Sequence, residues 1–418
     1  MAESPLVHDW NDAEPRPAPR HPFTLLDETL RDGLQSPSVV HPSLEDKLEL
    51  LEHMRAVGIQ AVNVGMPGSS ARLKDDAIAL CRHIRDHQLP LQPVASSRTL
   101  PEDIARVAEV VQASGQPLMI CTFIGSSPLR QRAEGWDLDF LLRTSESAIG
   151  FAVRQGLEVA FVTEDTVRTP PQVLEPLFRM AVRTGARSLV LCDTVGHATP
   201  AGAASLVRWT RQLVAQLGGD IQVEWHGHND RGLALSTALA ALEAGAHRLH
   251  GCGLGIGERV GNTSLDLLLL NLKLLGWVRQ DVSGLISYVR KVSQACQVPI
   301  PFNYPLAGGD AFRTSTGVHA AAIIKSLRQG DTWLADRVYS GVPASECGLT
   351  QRIELGPASG MSTVRYWLQS RQLPCDEALC ARILDAAKRS DRVLTEEQLH
   401  HLVREHLSGG GLNPGGPR

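Results

Sequence analysis

The chain has 418 residues, of which 43% are hydrophobic and 21% charged, and its formal net charge is −4. A chain of this length buries a large core, and its slight acidic excess argues against nucleic-acid binding, which needs a basic surface. Its longest apolar stretch, at 264–278, is too short to span a bilayer and carries Asp266, Asn271 and Lys273. We therefore expect neither a nucleic acid nor a membrane as a partner.

Both ends of the chain lack the periodicity of helices and strands. Residues 1–22 are polar and rich in proline, and residues 408–418 are rich in glycine, so we expect a disordered leader and a flexible tail. The leader has no apolar core of a secretion signal, and the eight cysteines form no CxxC pair. These features indicate a cytoplasmic protein with reduced thiols.

Between residues 23 and 280, short β-type runs alternate with helical patterns. The runs lie at 23–30, 60–65, 91–97, 117–125, 157–165, 188–196, 221–230 and 246–257. They recur about every 30 residues, the length of one βα unit. Eight such units predict an α/β fold, a closed (β/α)8 TIM barrel. A doubly wound open sheet is the alternative, but it usually has a glycine-rich turn after its first strand, where this chain has DETLRDGLQSP.

The first helical pattern, at 43–58, has recognisable ends. Ser43 stands three residues before Asp46, which is close to a capping box, and Gly58 follows the last turn. Helical spacing predicts an apolar face that consists of Leu44, Leu48, Leu51 and Met54.

Polar residues concentrate where the predicted strands end, the place where TIM barrels carry their catalytic groups. His226 and His228 end the seventh run, and their spacing puts both imidazoles on one face of a strand. Barrel closure makes the first, seventh and eighth strands neighbours, so Asp32 and Asn262 can join the histidines around one ion. Such ligands suit a catalytic divalent metal, with Zn, Mn and Mg all compatible. The alternatives are two ordinary strand-end histidines, and an Asn262 that supports a ligand without being one.

Three motifs occur in order at these strand ends: DETLRDGLQSP, HGHND and GIGERVGN. Together they resemble the DRE-TIM metallolyases, and within them the isopropylmalate, citramalate and homocitrate synthases, over residues 23–372. HMG-CoA lyase is a more distant relative. The resemblance implies an acyltransferase of amino-acid biosynthesis, in which a divalent metal (Mg, Mn or Zn) assists the condensation of acetyl-CoA with a 2-oxo acid. The expected products are a 2-alkylmalate-type acid and CoA, and the expected partners are these small molecules and a second copy of the chain in a homodimer.

The resemblance also implies a role for individual residues. It matches Asp32, His226 and His228 to metal ligands, Arg31 to the arginine that neutralises the enolate oxygen, and Glu164 to a catalytic glutamate. The implied substrate contacts are Gln35 and Thr194. A positive group is needed at the enolate oxygen because the methyl group of a thioester is a very weak acid.

After the barrel, residues 281–372 are expected to form a linker and a small α/β accessory (lid) subdomain, and residues 373–407 C-terminal helices. His319 in FRTSTGVH and Tyr339 in YSGVPASECG match residues that assist deprotonation of the acetyl group in the family. Whether Glu164 or His319 removes the proton stays open. Since the chain ends soon afterwards, we expect no leucine regulatory domain.

Several departures from the family concern the substrate. Arg130 replaces a usual histidine, which favours either a 2-oxo acid with a second anionic group or a surface pair with Glu134 or Asp137. Ala160 and Val162 stand where homocitrate synthases carry an arginine and a serine, which argues against 2-oxoglutarate as the substrate.

Two further positions near the predicted strand ends are of interest. Asn63 replaces a glutamate of the family, and His250, in the eighth run, is expected to be structural. Two other functions stay open: carbon–carbon cleavage like that of HMG-CoA lyase, and a catalytically inactive barrel that serves as a binding protein. The segment around His319 favours synthesis, and the joint presence of the candidate catalytic residues argues against inactivity.

Overall fold

A computed structural model describes residues 6–12, 18–19 and 21–409. Half of the expected leader, and the tail from residue 410 on, lie outside these residues. The chain divides into two compact units, 1–300 and 301–418. Within the described ranges, no helix is long and apolar enough to cross a membrane.

Eight parallel strands form the centre of the first unit. They are β1 Thr24–Asp27, β2 Ala61–Asn63, β3 Gln92–Arg98, β4 Met119–Gly125, β5 Glu158–Glu164, β6 Ser188–Asp193, β7 Gln222–Gly227 and β8 Arg248–Gly251. Each strand pairs with the next, and β8 pairs with β1 from Thr24↔Arg248 to Asp27↔Gly251. The sheet is therefore a closed barrel, and the predicted (β/α)8 TIM barrel is confirmed.

Helices alternate with these strands. They are α1 Leu44–Ala56, α2 Ala71–Asp86, α3 Pro101–Ser114, α4 Pro128–Glu134, α5 Leu138–Arg154, α6 Pro171–Thr184, α7 Pro200–Leu217, α8 Ala234–Glu243, α9 Leu265–Leu274 and α10 Leu285–Cys296. Small and apolar side chains of β1 to β6 form one buried cluster, which includes the alternate pairs Met119/Cys121 and Val190/Cys192. This alternation places one face of each strand inside the barrel.

Helix α1 begins at the predicted residue, where the backbone N–H of Asp46 donates to Ser43 Oγ at 3.1 Å. Its predicted apolar face is wrong at Leu44, which is 40% exposed, and Leu48 is only half-buried. The first turn projects beyond the core, and the buried face consists of Lys47, Leu50, Leu51 and Met54. The aliphatic stem of Lys47 is buried while its ammonium group pairs with Asp76 at 2.7 Å.

The first unit extends to residue 300 because α10 packs against α1. Lys291 on α10 pairs with Asp46 at 2.8 Å. The Tyr288 hydroxyl, also on α10, donates to the buried carboxylate of Asp27 at the end of β1.

The second unit is mostly helical. Its elements are β9 Arg313–Thr314, α11 Gly317–Arg328, α12 Thr332–Arg337, β10 Arg352–Ile353, α13 Met361–Ser370, α14 Glu377–Arg389 and α15 Glu396–Gly409. β9 and β10 pair in parallel, while α13, α14 and α15 share one core around Trp367. Helix α15 begins with a reciprocal cap, in which Thr395 and Gln398 each accept the other's backbone N–H through a side-chain oxygen.

Candidate active site and metal centre

Three potential metal ligands meet where β1 and β7 end. Asp32 follows β1, His226 lies in β7, and His228 follows that strand; all three are buried. Asp32 Oδ2 is 3.1 Å from His226 Nε2 and 3.5 Å from His228 Nε2. The two Nε2 atoms are 3.3 Å apart. The spacing of the HxH segment and barrel closure thus bring the predicted residues together.

The donor atoms of this group fit a divalent cation. Asp32 Oδ1, His228 Nδ1 and Asn262 Oδ1 are buried and have no hydrogen-bond partner among the described residues. Buried polar atoms normally have one, because burial without a partner is costly. Two imidazoles with oxygen donors and no thiolate suit Mn, Mg or Zn.

Electrostatics keep the carboxylate of Asp32 available as a ligand. Burial alone would raise the pKa of Asp32, but the Arg31 guanidinium and hydrogen bonds from His226 and His228 outweigh burial and hold the pKa well below its usual value. Burial lowers the pKa of His226, against the opposing effect of Asp32. A carboxylate and a neutral imidazole are the forms that bind a metal ion.

A second group, Glu28, His226 and His250, has similar spacing and is also buried. Its donors are already engaged by protein partners. Glu28 accepts from Arg31 Nε at 2.7 Å, and His250 Nε2 lies 2.8 Å from Glu224 Oε2. Because the two groups share His226, the group with unpartnered atoms, at Asp32, is the better candidate for a metal centre.

Asn262 is held beside the candidate metal ligands by a tight loop. His228 and Asn262 form an antiparallel bridge, and Asn262 Nδ2 donates to Ile256 O at 3.1 Å. Gly261 has φ +95°, and a Cβ there would lie 1.8 Å from Gly255 O. Only glycine fits this position, so the GERVGN segment owes its shape to Gly261.

A cavity of about 470 Å³ opens above these ligands. Its walls include seven of the predicted site residues, namely Arg31, Asp32, Gln35, Glu164, Thr194, His226 and His228. Apolar wall is contributed by Met66, Phe123, Val162 and Val190. The cavity thus combines a polar end at the candidate metal ligands with an apolar wall, which is typical of small-molecule sites.

Glu164 and Thr194 both line this cavity. Burial raises the pKa of Glu164, although the nearby charges of Arg130 and Arg31 partly oppose it. A carboxylate with a raised pKa binds a proton more tightly than an ordinary one, which makes it a stronger base. Thr194 Oγ1 accepts from the backbone N–H of Asp165 at 2.8 Å, so its own hydroxyl proton is directed elsewhere.

Arg130 lies at the rim and has an acidic neighbour. Its guanidinium is 3.0 Å from Glu134 Oε1, and its side chain is 48% exposed. It also lines a shallow depression together with Glu164 and Thr194. The surface pair with Glu134 is therefore present, and Arg130 still stands close to the cavity.

The other two predicted catalytic residues belong to the second unit. The rings of His319 and Tyr339 stack with centroids 3.9 Å apart and planes 24° from parallel. His319 is exposed, and Tyr339 is 48% exposed. The structure thus places His319 against Tyr339, and the family resemblance implies that these two residues act together.

Comparison with known proteins identifies the family of this chain. A family model described as HMGL-like matches residues 22–294. The chain belongs to the HMGL-like family. This confirms the expected DRE-TIM resemblance.

Relatives of this HMGL-like protein include two synthases. It is 30% identical over 394 residues to homocitrate synthase AksA of Methanopyrus kandleri, covering 93% of each chain. It is 30% identical over 390 residues to a probable 2-isopropylmalate synthase of Ignicoccus hospitalis, covering 92% of each. Hydroxymethylglutaryl-CoA lyase from Pseudomonas aeruginosa has a similar structure, with a TM-score of 0.55 and 19% identity over 65% of this chain and 92% of that chain. At that identity the likeness concerns the fold.

Sequence reasoning missed a buried ionic network beneath the cavity of this HMGL-like barrel. His250, expected to be structural, lines the cavity and lies between Glu28 and Glu224. Burial would raise the pKa of Glu224, but Arg248 and His250 outweigh it and lower the pKa to about 2. The spacing of these residues could have indicated the network. Glu224 precedes His226 by two residues and Arg248 precedes His250 by two, and residues two apart in a strand share one face.

Proposed function

We propose that this protein is a divalent-metal-dependent acyltransferase that condenses acetyl-CoA with a 2-oxo acid. The products are a 2-alkylmalate-type acid and CoA. The observation that carries the proposal is the group of Asp32, His226 and His228, with unpartnered donor atoms, in one cavity with Arg31 and Glu164. The names of the synthase relatives support the same chemistry.

Asp32, His226 and His228 would hold the ion, with Asn262 beside them. A divalent ion at this position supplies Lewis-acid polarisation of a bound carbonyl group. Arg31 lines the same cavity and carries a fixed positive charge, so it can stabilise the oxygen on which negative charge develops when the acetyl group loses a proton. The Thr194 hydroxyl is free to donate to the carboxylate of the 2-oxo acid.

Two groups are candidates for the proton-abstracting base. Glu164 is inside the cavity and has a raised pKa. His319 is stacked on Tyr339 in the second unit. Single variants separate the two, because loss of the base lowers kcat by about 10²- to 10⁴-fold, whereas loss of a supporting group costs less.

The apolar wall favours a 2-oxo acid with a short apolar side chain. Phe123, Val162 and Val190 line the cavity, and Arg130 at the rim is paired with Glu134. A second carboxylate on the substrate would therefore face an apolar surface unless it reached Arg130. We rank 2-oxoisovalerate and 2-oxobutyrate above 2-oxoglutarate on this ground.

The test measures release of free CoA from acetyl-CoA with a panel of 2-oxo acids, with and without a chelator. We expect release that depends on the 2-oxo acid, stops with chelator and returns with Mn²⁺ or Mg²⁺. Release from no 2-oxo acid, together with cleavage of HMG-CoA, would favour the lyase alternative. Inactivity in both assays would favour a binding protein. Asp103→Asn is a matched control, because Asp103 also pairs with an arginine, Arg98, at 2.7 Å but lies outside the cavity.

A further inference from the structure

Arg31 stands between two buried carboxylates that compete for it. Its Nε donates to Glu28 Oε2 at 2.7 Å, while its Nη1 is 3.4 Å from Asp32 Oδ2. The first contact has the length of a strong charge-assisted hydrogen bond, and the second is longer than one. The guanidinium is therefore hydrogen-bonded to Glu28 and forms only a longer ion pair with Asp32.

Glu28 is itself held in place from the other side. Its Oε1 accepts from Asn63 Nδ2 at 3.2 Å, and the same amide donates to Ser96 Oγ at 2.9 Å. Asn63 Oδ1 accepts from the backbone N–H of Gly65 at 3.1 Å, so the amide is fully used. Glu28 is 1% exposed. These contacts fix the position of the Glu28 carboxylate, to which Arg31 is hydrogen-bonded.

The negative charge that binds Arg31 is carried by a residue next to the first strand. Asn63, at the end of β2, is neutral and stands where the family resemblance has a glutamate. Glu28, directly after β1, supplies the carboxylate, and Asn63 orients it. The chain thus places the anionic partner of Arg31 in the same segment after β1 that carries Asp32.

We propose that Glu28 is a positioning residue: by binding Nε of Arg31 it keeps the guanidinium from closing on Asp32, so that Asp32 stays available to a metal ion. The inference rests on the proposed function for the roles of Arg31 and Asp32. Without the Glu28 carboxylate, Arg31 retains Asp32 as its anionic contact. A closer Arg31–Asp32 pair competes with a cation for the same oxygen atoms.

The first test is a double-mutant cycle on Mn²⁺ affinity, measured by isothermal titration calorimetry and independent of activity. We expect Glu28→Gln to weaken Mn²⁺ binding about tenfold, as is usual for groups that support metal ligands. In the Arg31→Met background the same change should weaken binding by less than about threefold, because no guanidinium remains to move. Asp103→Asn should leave the affinity unchanged.

Equal losses from Glu28→Gln in both backgrounds would overturn the proposal, since the effect would then not pass through Arg31. A native chain that binds no Mn²⁺ would overturn it as well. A second variant covers failure of Glu28→Gln to fold. Glu28→Ala combined with Asn63→Glu moves the carboxylate to β2 and should retain Mn²⁺ affinity within about threefold. A folded double variant that loses about tenfold would also count against the idea.

Kinetics separate this inference from the proposed function. At saturating Mn²⁺, Glu28→Gln should lower kcat for CoA release about tenfold and change the KM for the 2-oxo acid little, since a displaced Arg31 acts on the transition state. Unchanged kcat would contradict the positioning role. If the native chain releases no CoA with any 2-oxo acid, the proposed function fails, whereas the Mn²⁺ cycle still decides the role of Glu28.

Discussion

Asp27 provides a measurable pH dependence of stability. It is fully buried at the end of β1, where its Oδ1 accepts from the backbone N–H of Thr29 at 2.8 Å and its Oδ2 from the Tyr288 hydroxyl. Burial raises its pKa from 3.8 to about 6, and the hydrogen bonds of Thr29 and Tyr288 limit the rise. The folded protein therefore binds a proton at Asp27 more tightly than the unfolded chain does.

The sign and size of the effect follow from this difference. A raised pKa in the folded state stabilises the protein fully below pH 3.8, and this stabilisation is lost as the pH rises through about 6. At about 1.4 kcal/mol per pKa unit, the whole effect is about 3 kcal/mol. Between about pH 4.5 and 7.5, the part that is lost is about 2 kcal/mol.

The pH dependence of the free energy of unfolding can be measured by urea unfolding at a series of pH values, with the native chain and with Asp27→Asn. The native chain should gain about 2 kcal/mol relative to the variant on going from about pH 7.5 to 4.5, because the asparagine does not titrate. Tyr288→Phe removes a bond that favours the ionised form, so it should move the transition to higher pH. A difference between native chain and Asp27→Asn that stays constant over this range would refute the reasoning.

Three further outcomes are expected. Asp32→Ala and His226→Ala should each abolish stoichiometric metal binding, measured by elemental analysis after dialysis, and full metal content in either variant would rule out the assigned ligands. Arg130→Ala should raise the pKa of Glu164 further, because the Arg130 charge lowers it, and so shift the acidic limb of the kcat/KM profile to higher pH; an unmoved limb would show that Glu164 does not set it. Gly261→Ala should destabilise the protein by more than about 1 kcal/mol in urea unfolding and weaken Mn²⁺ binding, since a Cβ collides with Gly255 O; a neutral effect would contradict the loop geometry.

The barrel and the proximity of Asp32, His226 and His228 were predictable from sequence because both follow from regular patterns along the chain. Strand runs at regular spacing specify βα units, and parallel closure then brings every strand end to the same rim. His226 and His228 share a face through their spacing alone, and Asp32 joins them through the β1–β8 pairing. No side-chain distance had to be known for these residues to be brought together.

Contacts between side chains of different strands were not predictable. Glu28 follows β1, Asn63 ends β2 and Ser96 lies in β3, and the hydrogen bonds among them depend on side-chain positions that no pattern in the chain encodes. Arg130 illustrates the same limit, since the sequence offered Glu134 and Asp137 as equal partners and the turn of α4 selects Glu134. Leu44 shows a further limit of the sequence. Helical spacing predicts that it belongs to the apolar face, but the first turn of α1 lies outside the core and Leu44 is exposed.

Closure of the barrel has a consequence for biosynthesis of the chain. Thr29 beside β1 bonds the backbone N–H of Gly253 beyond β8 at 2.9 Å, across 224 positions in sequence. A ribosome must therefore synthesise nearly the whole barrel before the nascent chain can join its first strand to its last, and such long-range pairing is slow. Because Asp32 meets His226 only after that step, a metal ion held by both residues, as proposed above, would favour the chains that have completed it.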